Sequence, residues 1–380
     1  ACINHGIERN DDYNGQHQTG SFMYQRTVRN GERCSSAKAF ITSNTDRPNL
    51  TVISKAQTEK VIFDGKTAIG IKFKKDGQTH EIKCNKEVIL SAGVFASPQI
   101  LMLSGVGPAA QLQSHDIEVL HDLPGVGENL QDHIDYVQTI KLSSRYDSFG
   151  LSIRGGLRFF KALWQWWRHR RGKITSTLAE SGAFFKSDPS LPAPDLQLVW
   201  VAGIVDNHAR NFRWGHGYSC HLTVLRPKST GTVKLASNKI EDAPLIDPNF
   251  FADPDDLDVM LKGAKKMKSI LHDDAFDCGQ KKLLYPLEEG NDKKGNDDAL
   301  KQDIINRSDT QYHPVGTCKM APETDPLAVV NHELKVHGLY GLRVIDGAIM
   351  PTLVGGNTNA PCIMIGEKGA ELIKSEHKLK

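Results

Sequence analysis

Charge of one sign is what this sequence lacks first. Its 380 residues hold 47 Lys plus Arg against 45 Asp plus Glu, so no global field draws it to nucleic acid or to a membrane. No apolar run approaches the roughly 20 residues that cross a bilayer. The seven cysteines (Cys2, Cys34, Cys84, Cys220, Cys278, Cys318 and Cys362) include no C-x-x-C pair. An odd count in a long chain argues against a disulfide framework and for reduced, buried thiols. The 15 histidines never form H-E-x-x-H or a similar ligand spacing, so no metal site is expected. The absence of a G-x-S-x-G elbow argues against a hydrolase. The first residues, Ala1-Cys2-Ile3-Asn4-His5, show neither an initiator Met nor a basic leader. A targeting signal on a longer precursor would therefore be invisible. The compartment stays open, with cytoplasm or a membrane periphery expected.

What is present reads as an ordinary globular chain, 39 % hydrophobic and 24 % charged. It is too long for one small core, so two lobes are expected. From Asn49 to Gly93, Val52, Val61, Ile69, Ile71, Phe73, Ile82, Val88 and Leu90 are spaced by polar residues. Asp64-Gly65 and Asp76-Gly77 suit tight hairpin corners. Glu87 to Leu90 reads as a buried strand running into Gly93, and Ser97-Pro98-Gln99 as a helix start with Pro in the first turn. Beyond Asp135, strand-like stretches (196–204, 216–225 and 232–235) alternate with helices such as Pro254 to Leu271. That texture suggests a second lobe of the α+β kind. A strand at Leu342 to Ile345 and a helix around Pro361 to Ile373 close the chain.

Arg154 to Lys173 stands apart: Arg154, Arg158, Lys161, Arg168, Arg170, Arg171 and Lys173, no acid, and Phe159, Phe160, Trp164, Trp166 and Trp167. One reading is an amphipathic helix on a membrane surface. The more ordinary one, expected here, packs the aromatics on the second lobe and leaves the basic end solvated.

Two glycine loops invite a dinucleotide reading. Gly105-Val106-Gly107-Pro108-Ala109-Ala110 matches G-x-G-x-x-A by letter but follows an apolar helix, and Pro108 interrupts the turn. Gly125-Val126-Gly127-Glu128-Asn129-Leu130 lacks the third small residue. Neither has the strand, tight turn and helix N-terminus that bring backbone to a pyrophosphate.

With their neighbours, these loops resemble a known family. Ser91-Ala92-Gly93-Val94-Phe95-Ala96-Ser97-Pro98-Gln99-Ile100-Leu101-Met102-Leu103-Ser104-Gly105-Val106-Gly107 is similar to a signature of the glucose–methanol–choline (GMC) oxidoreductases. So are Leu123 to His133, Tyr312 to Met320, Leu342 to Thr352 and Gly356 to Pro361, in the family's order. Asp12-Tyr13-Asn14-Gly15 and Arg29 to Ser35 resemble its middle region. The closest likeness is to choline dehydrogenase-like and aliphatic alcohol dehydrogenase members.

The resemblance implies an α/β plus α+β fold: an incomplete FAD-binding, Rossmann-like lobe with a mixed antiparallel-sheet substrate lobe. Residues 1–45 are expected as a linker and substrate-lobe segment, 46–134 as part of the FAD lobe, 135–309 as the substrate lobe, and 310–380 as the FAD lobe's return. Family members open with a βαβ unit that cradles the FAD pyrophosphate, so an amino-terminal segment is expected to be missing. The implied activity is FAD-dependent oxidation of a primary alcohol, choline-like or aliphatic, with electrons passing to a quinone, another carrier or O2. The alternatives are a remnant chain unable to hold FAD alone, and a flavin-containing lyase on the same fold.

The site residues follow from chemistry and resemblance together. Oxidising an alcohol needs a base for the hydroxyl proton and a hydride acceptor, and no side chain accepts a hydride. His313 suits the base because imidazole titrates near neutral pH. Asn357 suits the oxygen's partner because its amide does not compete for the proton. The resemblance implies FAD contacts at Thr58, Ala92, Gly93, Asp346, Gly347 and Asn359. The N-terminus of the helix opened by Asn359 and Pro361 faces the flavin's O2 edge in that picture. Thr58 departs from the family's usual valine, and Val94 from a small residue. Glu180 is a candidate for attracting a cationic alcohol, set against the default of a surface carboxylate.

Overall fold

The computed structural model describes residues 1–142, 150–276, 281–286 and 297–379, and the Arg154 side chain and Cys278 lie outside what it describes. In chain order the elements used below begin with strand β1 (Gly20–Met23), β2 (Gln57–Asp64), β3 (Thr67–Lys75), β4 (Gln78–Lys83) and β5 (Val88–Leu90). Helix α1 (Gly93–Leu103), β6 (Ile134–Leu142), α2 (Ile153–His169), β7 (Ala179–Phe185), β8 (Leu196–Val201) and β9 (Gly215–Val224) follow. Helix α3 (Pro254–Leu271), β10 (Leu342–Val344) and α4 (Asn359–Glu376) complete the set.

The chain divides into two units. The first comprises Ala1–Asn44, Ile134–Arg226 and Asp253–Gln311; the second comprises Thr45–His133, Pro227–Ala252 and Tyr312–Lys380. Unit 1 is built on one sheet, with β1-β7-β8-β9-β6 as consecutive antiparallel neighbours. The central strands β6 and β9 are buried on most of their residues, polar ones such as Asp135, Gln138, Ser219 and Thr223 included, as strands covered on both faces are. Helix α3 packs there through Met260, Ala264, Met267 and Leu271, all buried. Its start is written in the sequence: the Asp253 carboxylate accepts from Asp255 N at 2.9 Å, Pro254 opens the first turn, and two acids face the dipole.

Unit 2 joins a three-stranded antiparallel sheet, β2-β3-β4, to a parallel pair, β5 and β10. Asp76 and Gly77 both take positive φ (50° and 78°) at the β3–β4 corner, as the dipeptide predicts. Arg343 on β10 is 1 % exposed, ion-paired to Glu87 at 2.6 Å and to Glu376 near the end of α4. The strand pair and the last helix are therefore fastened by one buried guanidinium. This mixture of helices and predominantly antiparallel sheet bears out the expected fold class.

Three expectations change. Helix α1 starts at Gly93, not Ser97, so Pro98 lies inside it. The early start has a cap that local sequence cannot display, since the Asp346 carboxylate accepts from Gly93 N at 2.9 Å. Pro98 has no N–H for the Val94 carbonyl one turn back. The Thr317 hydroxyl supplies that bond, donating to Val94 O at 2.6 Å. Next, the six cysteines among the described residues are free thiols, but only Cys220 and Cys318 are buried. Burial pushes both of those thiols well above their ordinary range. Finally, the α2 aromatics do not pack inward. Phe159, Phe160, Trp164 and Trp167 are all exposed, because the helix is fastened through its other side, by Ala162 and by Trp166 Nε1 donating to Gly31 O at 2.7 Å.

Two predictions follow from these contacts. Thr317→Val should cost about 1–3 kcal/mol, by leaving the buried Val94 carbonyl unpaired, whereas Thr317→Ser should recover most of it. Urea unfolding of the three proteins checks this, and equal midpoints would refute it. The second concerns Asp135 in unit 1, which accepts from His221 Nδ1 at 2.6 Å and has His208 at 3.7 Å and the Thr223 hydroxyl at 3.4 Å. Burial alone would lower His221's pKa, but Asp135 outweighs it and the net shift is upward. A raised folded pKa means the stabilisation is complete below the unfolded value of about 6.5 and fades as pH rises through the folded one. The urea midpoint should therefore fall over that window, and by less in His221→Gln; parallel profiles would refute the linkage.

Candidate active site

The site is assembled from three stretches of unit 2 that are distant in sequence. Backbone bonds join Gln131 and Val315 in both directions, at 3.0 and 2.8 Å. The Gln131 side chain then reaches a third stretch: its Nε2 donates to Pro351 O and its Oε1 accepts from Leu353 N, each at 3.1 Å. Asn129 Nδ2 donates to Gly316 O at 3.2 Å. Gly316 has φ +98°, and a Cβ there would stand 2.4 Å from Asn129 O, so only glycine permits this approach. The 125–133 loop thus acts as a bracket for the segments that carry His313 and Asn357.

Within the bracket lies a chain of three side chains. Buried His133 has its Nε2 3.1 Å from Val354 O. A carbonyl only accepts, so Nε2 carries the proton and His133 Nδ1 is left as an acceptor. His133 Nδ1 is 3.0 Å from His313 Nδ1, so the His313 proton sits on that nitrogen. His313 Nε2 is therefore the basic nitrogen, and Asn357 Nδ2 donates to it at 3.1 Å. The rings of the two histidines stand at 90° with centroids 5.2 Å apart. Asp132 Oδ1 accepts from His313 N at 3.0 Å and holds the backbone from the other side. Tyr312, just before, takes φ +63°, a costly conformation for a bulky residue, and it turns the chain into the site.

His313 and Asn357, expected as a pair, are brought into direct contact. His133 was not singled out from the sequence, although it ends the Leu123–His133 motif. The signal that could have found it is a second histidine in a motif otherwise made of backbone-binding residues.

A second group forms at the carboxyl end of the parallel strands. Ala92, Gly93, Asp346 and Gly347 come together there. The Asp346 carboxylate accepts from Gly93 N, from the Ser97 hydroxyl at 2.6 Å and from Ala348 N at 2.7 Å. Its oxygens are thus engaged in tying β10 to α1. Gly93 has φ +89°, and a Cβ there would meet nothing within 4 Å, so its face is open. Asn359 opens α4, whose first turn has no side-chain cap, leaving N–H groups at the positive end of the helix dipole. An open glycine face and an uncapped helix N-terminus fit a flat, electron-accepting cofactor that gains negative charge. Thr58 lies on β2, a strand that packs against α1, where Val61 N donates to the Ser104 hydroxyl at 2.8 Å.

Glu180 lies in unit 1, on β7, partly covered. It lines a cavity of about 860 Å³ with Phe22, Trp200, Tyr218 and Phe276. The Trp200 indole N–H there is buried with no partner among the described residues. A carboxylate among aromatic faces and a spare donor is a surface that can receive a small cationic or hydroxylated molecule.

Comparison with known proteins agrees with this chemistry. Models of the GMC oxidoreductase family match residues 1–135 and 227–366. An alcohol dehydrogenase [acceptor] of Pseudomonas putida is 42 % identical over 372 residues, covering 97 % of this chain and 66 % of the relative. An oxygen-dependent choline dehydrogenase of Escherichia coli is 36 % identical over 393 residues, covering 100 % of this chain and 67 % of the relative. The chain therefore spans about two thirds of the length of these relatives. Among solved structures, a formate oxidase of Aspergillus oryzae described for its FAD modification superimposes with TM-score 0.86 at 26 % identity, covering 98 % of this chain and 68 % of the other. A fungal aryl-alcohol oxidase at 23 % identity shares the fold, with TM-score 0.82 over 99 % of this chain and 70 % of its own. Relatives above one-third identity across the chain, together with the two matched models, lead to one conclusion: the chain belongs to the GMC oxidoreductase family, a family of FAD-dependent flavoproteins.

Proposed function

We propose that this chain carries the proton-handling part of an FAD-dependent oxidation of a primary alcohol, choline-like or aliphatic, to its aldehyde. The observation that supports it most is the ordered chain from Val354 O through His133 and His313 to Asn357. Bound FAD supplies the hydride acceptor that no side chain can provide. Ala92, Gly93, Gly347 and Asn359 are the residues that would hold it, with Asp346 fixing the backbone around it. His313 Nε2 would take the proton from the alcohol's oxygen, and the hydride would come from the carbon that bears that oxygen. Asn357 Nδ2 donates to the substrate oxygen and stabilises the charge that develops on it. Glu180 would favour a cationic alcohol over a neutral one. The names of the relatives support an electron acceptor that is a carrier or O2.

Anaerobic mixing of the FAD-loaded native polypeptide with primary alcohols should bleach its visible absorbance. His313→Ala should keep the spectrum and lose turnover by about 10²–10⁴-fold. Near-normal turnover in that variant would end the assignment, and an unbleached wild type would favour the lyase reading. His133 is a positioning residue, so its loss should act through His313. His133→Phe should lower kcat by about tenfold or more, the equivalent of one buried hydrogen bond, and displace the acidic limb of the pH profile, which the base's protonation sets. His133→Gln, which keeps an acceptor and a donor, should restore part of both. An unchanged pH profile in the Phe variant would show that the tautomer relay is not used.

A further inference from the structure

Helix α2 reverses the usual rule for a surface helix. Ile153, Leu157, Phe160, Trp164 and Trp167 recur every three or four residues, which sets them within an arc of about 80°. That stripe should be the buried one, yet these residues are 86, 68, 69, 62 and 68 % exposed. The side turned inward is thin: Ala162, and Trp166 with its bond to Gly31. Arg170, stacked over Trp166 at 4.4 Å and paired with Glu32 at 3.1 Å, adds to that fastening, as does the N-cap Ser152, 2.7 Å from Nε2 of buried His216. The apolar stripe continues beyond the helix. Leu151, just before it, bridges to Trp214, which is 75 % exposed, and Phe212 nearby is 90 % exposed. An apolar surface of this extent needs a partner.

Charge indicates which partner. Lys161 and Arg168 are exposed along one edge of the stripe, and Arg171 and Lys173 follow the helix, while no acid occurs between residues 154 and 173. A second copy docked on this face would set two basic edges together with no carboxylate from either helix to offset them. An anionic bilayer complements both features at once. Trp and Phe seat at the headgroup boundary, and Lys and Arg meet lipid phosphates. No described helix is long and apolar enough to cross a membrane, so contact would be interfacial.

We propose that α2, with Leu151 and Trp214 beside it, is a docking surface for an anionic phospholipid bilayer, the helix lying in the membrane plane. The stripe would enter the headgroup boundary by about 5–10 Å, and the surface serves partition of the protein to lipid independently of the flavin chemistry.

The test is sedimentation of the native polypeptide with vesicles of phosphatidylcholine alone or mixed with phosphatidylglycerol. The wild type should bind the mixed vesicles more tightly than the neutral ones, and its tryptophan emission should shift to the blue. The triple variant Phe160→Ser, Trp164→Ser, Trp167→Ser should lose at least about tenfold in binding. The pair Lys161→Glu, Arg168→Glu keeps the apolar stripe, guards against misfolding of the first variant, and should lose about tenfold or more on mixed vesicles only. Wild-type protein that ignores both vesicles, or variants that bind like it, would overturn the proposal. So would a wild-type dimer, in lipid-free sedimentation, that the triple variant dissolves, since a second copy would then cover the face.

Discussion

The site depends on one bracket: Gln131 pairing with Val315 through backbone while its side chain holds Pro351 and Leu353. Neither His313 nor Val354 belongs to a helix or long strand, so neither is positioned by regular structure. Short segments of this kind lose much conformational entropy when ordered. The bracket offsets that cost with bonds that are mostly buried, where each counts for more than at the surface. It also sets the order of protons. Since Val354 O can only accept, the tautomers of two imidazoles are decided by the position of one carbonyl.

The same economy governs the start of α1 in unit 2. Asp346 caps α1 from the parallel neighbour strand, and Thr317, four residues after His313, supplies the hydrogen bond that Pro98 cannot. The start of α1, with its open Gly93 face, is therefore shaped by two residues that follow His313 in the chain, Thr317 and Asp346. A shift in either would move the open Gly93 face.

These long-range bonds explain which features were legible in the sequence. Hairpin corners at Asp76-Gly77, the N-terminus of α3 and the strand at Leu342 are local, and the sequence displays them. His313 and Asn357 were legible because each sits in a motif whose order matches a family. The true start of α1 was not, because its cap lies 253 residues away. His133 was missed for a related reason: its role is visible only once Val354 and His313 stand on either side of it. Helix α2 failed differently. Its periodicity was plain, but periodicity gives the apolar face and not the medium that the face meets.

That last distinction bears on how the two units divide their work. Unit 2 gathers its buried apolar residues in one continuous cluster running from Val61 to Ile365, and those it exposes, such as Val52, Leu245 and Met364, are scattered along the chain. Unit 1 buries its sheet as thoroughly but leaves the apolar stripe of α2 outward. A helix fastened by Ser152, Ala162, Trp166 and Arg170 gains little from burial of its own apolar side chains, so stability alone does not account for five large apolar residues on its open face. Each of them adds aggregation risk in water. A face that is costly in solvent and consistent in its basic edge is understandable when its ordinary surroundings are not water alone. A medium that is apolar on one side and anionic at its surface satisfies both halves of the helix.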